Sequence, residues 1–148
     1  MTKFKFNIML LTQLPIAWIA GLKLYTYSTN ECSISVKLGV LNKNPFKSMF
    51  WAVQGMAAEL STGLLCIDCI QNSGQSISML VIEQKAVFYK KAKGKIIFTC
   101  KQGQKIKELI QCVIDTKESQ TVSLKSDGID EAGDKVSSFE FVWSFKLK

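Results

Sequence analysis

The sequence predicts an α+β fold in which a curled antiparallel sheet wraps around one long helix. Three observations predict it. The stretch Asn44–Gln71 carries apolar side chains on every face, the pattern of a helix enclosed on most sides. The segments before and after it alternate apolar and polar residues with the period of two that marks half-buried strands. Behind the long helix the strands are interrupted by a single shorter helical stretch, so a sheet closing on the long helix is the simplest way to bury it.

At 148 residues and 47% hydrophobic composition, the chain suits one domain, 1–148, with one core. No linker or internal repeat divides it. At the N-terminus, Lys3 and Lys5 ahead of the apolar run Ile8–Ala20 imitate a secretory signal, but Asn7, Thr12, Gln13 and Pro15 break the run. The expectation is a packed helix over 1–20 that ends near Gly21. Leu22 and Leu24, then Ile34, Val36 and Leu38, alternate as two strands joined by a turn at Ser28, Thr29 and Asn30.

The central helix is expected over 48–71. Pro45 discourages helix in the residue before it, and the Ser48 hydroxyl can accept from an orphan N–H of the first turn. Between Met49 and Ile70 the charged residues are Glu59 and Asp68. This stretch is long enough to cross a bilayer, but a carboxylate near its middle costs about 2.5 kcal/mol or more on insertion scales. A buried helix without integral membrane insertion is therefore favoured. Asn72, Ser73 and Gly74 end it. The segments 77–90 and 95–100 read as a second hairpin across Lys93 and Gly94. Ile106, Leu109, Ile110, Val113 and Ile114 mark an amphipathic helix. Val122 and Leu124, then the alternating Phe139, Phe141, Trp143, Phe145 and Leu147, close the sheet across a polar turn.

The net charge of +7 arises from 19 basic residues, all of them lysine. Without the forked guanidinium of arginine, specific nucleic-acid binding is not expected. Lysines from Lys85 to Lys107, among them Lys90 and Lys91, lie in a stretch with no acidic residue, which attracts anionic groups or simply forms a solvated face. Five cysteines and no histidine fit a reducing, cytoplasmic setting. Cys66 and Cys69 form a CxxC late in the helix, which reads as core rather than as zinc or redox chemistry. Asp127, Asp130, Glu131 and Asp134 crowd one turn but lack the spacing of a calcium loop. Neither metal nor cofactor is expected.

Glu59 is the candidate for chemistry. Gly55 and Gly63 flank it at i−4 and i+4, so a ligand or another backbone can approach. A buried, unpaired carboxylate has its pKa raised, as a general base or nucleophile requires. The same residue can equally be a structural glutamate capped by hydroxyls or an amide.

Two segments carry a family resemblance. AGLKLYTYSTNECSISVKLGV resembles the first two strands of the hotdog-fold thioesterases, and NPFKSMFWAVQGMAAELSTG resembles their signature, an Asn-led loop entering a helix that bears an acid. Asn44, Ser48 and Glu59 match that pattern, while Phe50, Trp51 and Ala52 stand where the family has His-Gly-Gly. The resemblance implies a hotdog fold and hydrolysis of acyl-CoA or another acyl thioester. It makes Glu59 and Asn44 the catalytic pair, with Ser48, Phe50, Trp51, Ala52, Gly55 and Thr62 binding substrate beside Lys90 and Lys91. It implies that N–H groups at the helix start, which Trp51 and Ala52 retain, polarise the thioester carbonyl. Two other readings stay open: a catalytically silent acyl-binding module, and a structural dimer partner. The unpaired edges of one curled sheet imply a homodimer, or a tetramer built from it.

Overall fold

The computed structural model describes residues 1–148 and runs α1 (Lys3–Gln13), α2 (Pro15–Ile19), β1 (Lys23–Tyr27), β2 (Cys32–Lys37), α3 (Trp51–Ser73), β3 (Ile77–Phe88), β4 (Lys95–Cys100), α4 (Gly103–Thr116), β5 (Gln120–Ile129) and β6 (Lys135–Leu147). All six strands form one antiparallel sheet in the order β1-β2-β4-β5-β6-β3. The sheet curls around α3 as expected.

The single N-terminal helix expected over 1–20 is two helices. Leu14 leaves helical geometry, and Pro15 restarts the chain at the first position of α2, where its missing N–H has no partner to lose. α3 begins three residues later than expected. Its N-cap is Phe50, whose side chain has no acceptor to offer, and the hydroxyl of Ser48, two residues earlier, is bound to Asn44. Gly74, left-handed at φ 67°, ends the helix.

The largest departure from expectation concerns β3. It forms no hairpin with β4 but pairs along its length with β6, at the opposite side of the sheet from β2. Alternation and a nearby glycine identify two strands without saying which strands they pair with, and here the connection 89–94 crosses the sheet. That crossover passes the start of α3, where the Met49 N–H donates to the Ala92 carbonyl at 2.9 Å.

The concave face carries Phe139, Phe141, Trp143 and Phe145 of β6, all buried. Gly55 and Gly63 lie at this contact. A Cβ at Gly55 would sit 3.5 Å from the Phe139 ring, and one at Gly63 would sit 3.4 Å from Trp143. Both are ordinary contact distances, so the aromatic strand packs directly on this stretch of the helix and leaves no gap above either glycine. Three buried polar contacts set how α3 lies on the sheet. Ser137 donates to Gln54 Oε1 at 2.8 Å, the Ser61 and Ser126 hydroxyls bond at 2.7 Å, and Trp143 Nε1 donates to Thr62 Oγ1 at 3.1 Å.

The enclosure is incomplete. Trp51, Glu59 and Ile67 are exposed on α3, and at about 100° per residue they wind partway round the helix, with Glu59 at the middle of the open sector. α3 has the length and apolarity of a membrane span, yet 61% of its most apolar window is packed inside the fold. α4 buries Ile106, Ile110 and Val113 beside it.

Gly103, the first residue of α4, sits against the β1–β2 turn, and a Cβ there would overlap the Thr29 carbonyl and the Asn30 backbone. Backbone cannot rotate away as a side chain can. Gly103→Ala is expected to lower stability by about 1–3 kcal/mol, read as a reduced midpoint in urea unfolding with no change in slope.

Candidate functional site

A cleft of about 310 Å³ opens at the start of α3, lined by Asn44, Ser48, Met49, Trp51, Gln54, Phe88, Tyr89, Lys90, Lys91 and Ala92. Three segments meet there: the loop 43–50, the first turn of α3 and the crossover 88–92. Met49, Gln54 and Ala92 are buried at its base, whereas Trp51, Phe88 and Tyr89 stand exposed at its rim. Helix starts leave their first backbone N–H groups without intrahelical partners. The N–H of Phe50 donates to the Asn42 carbonyl at 2.8 Å, so the next two, of Trp51 and Ala52, are the orphans at this end.

The cleft gathers Asn44, Ser48, Trp51, Lys90 and Lys91 from the residues singled out in the sequence. Asn44 braces the loop. Its Oδ1 accepts from the N–H groups of Phe46 and Ser48 at 3.0 and 3.2 Å, and its amide faces the Ser48 hydroxyl at 3.1 Å. Lys47 completes this tight turn at φ 58°. Asn44 and Ser48 are thus each other's partners, and their geometry shapes the loop that delivers the helix start. Phe50 packs edge to face on Trp51, with ring centroids 6.0 Å apart.

Lys90 is held by acids. Its ammonium lies 2.7 Å from Asp130 and 2.6 Å from Asp134, and these carboxylates raise its pKa. The acidic turn therefore anchors the crossover. Lys91 is exposed and makes no ion pair, which leaves it as the cation of the cleft.

Glu59, Gly55 and Thr62 lie outside this cleft. Thr62 is fully buried, accepts from Trp143 and donates to the Glu59 carbonyl oxygen at 2.8 Å, so it is a packing contact rather than a wall of the site. Gly55 faces the Phe139 ring. The Glu59 side chain is exposed, and no lysine, hydroxyl or amide bonds its carboxyl group. Enough protein surrounds it to hold that carboxyl above the ordinary glutamate value, because partial removal from water disfavours the charged form. Eight residues of helix separate Glu59 from Trp51, about 12 Å at 1.5 Å per residue.

Gln54, Phe88 and Tyr89 are lining residues that the sequence reading did not single out. An amide within an apolar helix was the available signal for Gln54; it receives the Ser137 hydroxyl and donates to the Met49 carbonyl at 3.4 Å. Phe88 and Tyr89 gave no such signal, since their position depends on the crossover. The CxxC is not a site: Cys66 is buried, Cys69 is half-buried and all five thiols are free. Burial pushes Cys32 up to about 12 and Cys100 to about 11, which leaves both inert at neutral pH.

No protein-family model matches the chain, and no curated protein matches it. Solved structures do. A protein of unknown function from Pseudomonas aeruginosa, described as a probable thioesterase, superposes with a TM-score of 0.82 at 19% identity, over 99% of this chain and 97% of that one. A protein of unknown function from Chlorobaculum tepidum gives 0.83 at 15% identity, over 99% and 94%. A thioesterase from Haemophilus influenzae gives 0.76 at 11%, over 99% and 92%. At such identities the likeness defines the fold, which is the hotdog fold of thioesterase-type proteins.

The state of Glu59 has a measurable consequence. The folded chain keeps the Glu59 proton to higher pH than the unfolded chain, so it binds more protons between the two values, and stability falls as pH rises through that window. Glu59→Gln carries no charge to desolvate. Its melting temperature is expected to be no lower than wild type at mildly alkaline pH, with any gain disappearing in acid. A clear loss at alkaline pH would instead mark the carboxylate as a structural partner.

Proposed function

We propose that the chain hydrolyses acyl thioesters, with acyl-CoA as the first class to test. The observation that carries this reading is the unpaired Glu59 carboxyl, held above its ordinary value on the open side of α3 in a thioesterase-type fold. In this reading Glu59 either takes a proton from the water that attacks the thioester carbonyl or attacks it directly to form an anhydride that water then opens; the C–S bond breaks, the carrier leaves as its thiol, and the orphan N–H groups of Trp51 and Ala52 polarise the carbonyl. Asn44 and Ser48 act by holding the loop that presents those groups. Lys91 attracts the phosphates of the carrier.

Attack needs the reacting atoms about 3–3.5 Å apart, whereas Glu59 and the helix start of one chain lie about 12 Å apart along the axis. One copy therefore supplies the acid and another the N–H groups. β3 suits that assembly, since it bonds on one side to β6 and leaves its other edge free, with Leu80, Ile82, Val87 and Phe88 exposed. A homodimer joined along β3 is part of the proposal, and so is a reducing, cytoplasmic setting for the free cysteines.

The alternative is a silent acyl-binding module. It is favoured by the paired Phe50 and Trp51 rings, which place bulk beside the orphan N–H groups. Release of free thiol from acyl-CoA esters of several chain lengths separates the two. Turnover by wild type that falls about 100-fold or more in Glu59→Gln, at a melting temperature no lower than wild type, supports hydrolysis; equal release by both proteins sinks it. Absence of turnover together with a raised melting temperature under acyl-CoA selects the binding module. Neither effect leaves the structural dimer partner.

The assembly is tested separately. Light scattering is expected to give a dimer for wild type and a monomer for Ile82→Lys, which sets a charge on the free edge; a wild-type monomer at every accessible concentration would exclude the two-copy site.

A further inference from the structure

At the other end of the sheet from β3, next to β1, α1 and α2 expose a second apolar surface. On α1, Phe6 and Leu10 face inward and are fully buried. Phe4, Ile8 and Leu11, spaced i, i+4 and i+7, form a stripe on the opposite side and are 73%, 47% and 55% exposed. The helix is therefore apolar on two sides, one docked and one without a partner. Ile16, Trp18 and Ile19 of α2 extend the exposed surface. So do Val40 and Leu41: Asn42 donates to the Ala20 carbonyl at 3.0 Å and accepts from the Gly39 N–H at 2.8 Å, which clamps their turn to the end of α2.

Charge identifies the partner. At about 100° per residue, Lys3 and Lys5 fall roughly a quarter turn to either side of the Phe4–Ile8–Leu11 stripe. Their stems can lie along an apolar surface while the ammonium groups reach outward to its rim. Before Glu59 the chain carries one acidic side chain, Glu31, against six lysines, and Glu31 faces Lys101 at 3.9 Å. An apolar stripe bordered on both sides by lysine, with an exposed tryptophan beside it, matches a bilayer of anionic phospholipid: hydrocarbon for the stripe, phosphate for the flanking ammonium groups and an interfacial layer for the indole. A protein partner would have to bring both an apolar groove and two acidic walls.

We propose that the surface of α1, α2 and the Val40–Leu41 turn docks the protein onto anionic membrane surfaces without spanning them. The docking does not depend on the reaction proposed above, because it uses neither the cleft nor Glu59.

The test is co-sedimentation of the full chain with vesicles of phosphatidylcholine alone and with vesicles of equal parts phosphatidylcholine and phosphatidylglycerol. Wild type is expected to pellet with the anionic vesicles, to release as salt is raised, and to stay in solution with phosphatidylcholine alone. Lys3→Gln/Lys5→Gln is expected to weaken binding about thirtyfold, from about 1 kcal/mol per lysine near an anionic surface. Phe4→Ser/Ile8→Ser/Leu11→Ser is expected to abolish it. Both variants change exposed residues, so circular dichroism and melting temperature should match wild type. Absence of wild-type binding, equal binding to both vesicle types, or binding that survives either variant overturns the proposal. If vesicles do not bind and light scattering shows the triple-serine variant losing a copy, the surface is an interface between copies of this chain and the lipid assignment is wrong.

Discussion

The position of α3 depends on three side-chain hydrogen bonds in an otherwise apolar contact. Packing of a helix on a sheet is permissive about rotation, because leucine against phenylalanine is nearly as good a few degrees away. Gln54 to Ser137, Ser61 to Ser126 and Thr62 to Trp143 are not permissive: each is buried, and breaking one leaves a polar group without water or partner. Rotating α3 would break all three. They therefore determine which residues of α3 meet solvent, and so they aim Glu59 outward and turn Thr62 inward although the two are three residues apart. Gly55 and Gly63 face the Phe139 and Trp143 rings across the same contact, so β6 packs directly on the helix there.

Much of this was legible in the chain itself. The strands β1, β2 and β6 and the amphipathic α4 follow from periodicity, and α3 follows to within three residues from its unbroken apolar run and the glycine that ends it; all of these are local signals. Pairing does not. β3 and β4 have the look of a hairpin because alternation and Gly94 are local signals, while the choice of β6 as the partner of β3 is a long-range fact. The single helix read over 1–20 divided because Pro15 is as good a helix start as it is a breaker, and the sequence alone left its role open.

The site was legible in its residues and less so in their roles. Asn44 and Ser48 did come to the cleft, but four residues apart in a tight turn they satisfy each other, a result no spacing rule for ligands anticipates. Lys90 looked like a free cation because its acidic partners lie some forty residues later in sequence, in a turn that pairing brings alongside. Apolar residues on all faces of α3 point to a helix enclosed on most sides, without saying what encloses each. Composition cannot separate a face covered within the chain from one that its own sheet leaves open, and Trp51, Glu59 and Ile67 lie on the second kind.

The crossing of residues 89–94 also governs how the chain must fold. Every partner of β3 lies roughly 50–70 positions further on, so its loop must close late and at high entropic cost. During synthesis α3 and β3 emerge well before β6 exists to receive them. Throughout that interval both edges of β3 are unpaired, with Leu80 and Ile82 among its side chains, and the aromatic strand that will cover Gly55 and Gly63 is absent. The nascent chain is thus most exposed to misassociation after β3 has been made, and completion of the last thirteen-residue strand covers one of the two open edges.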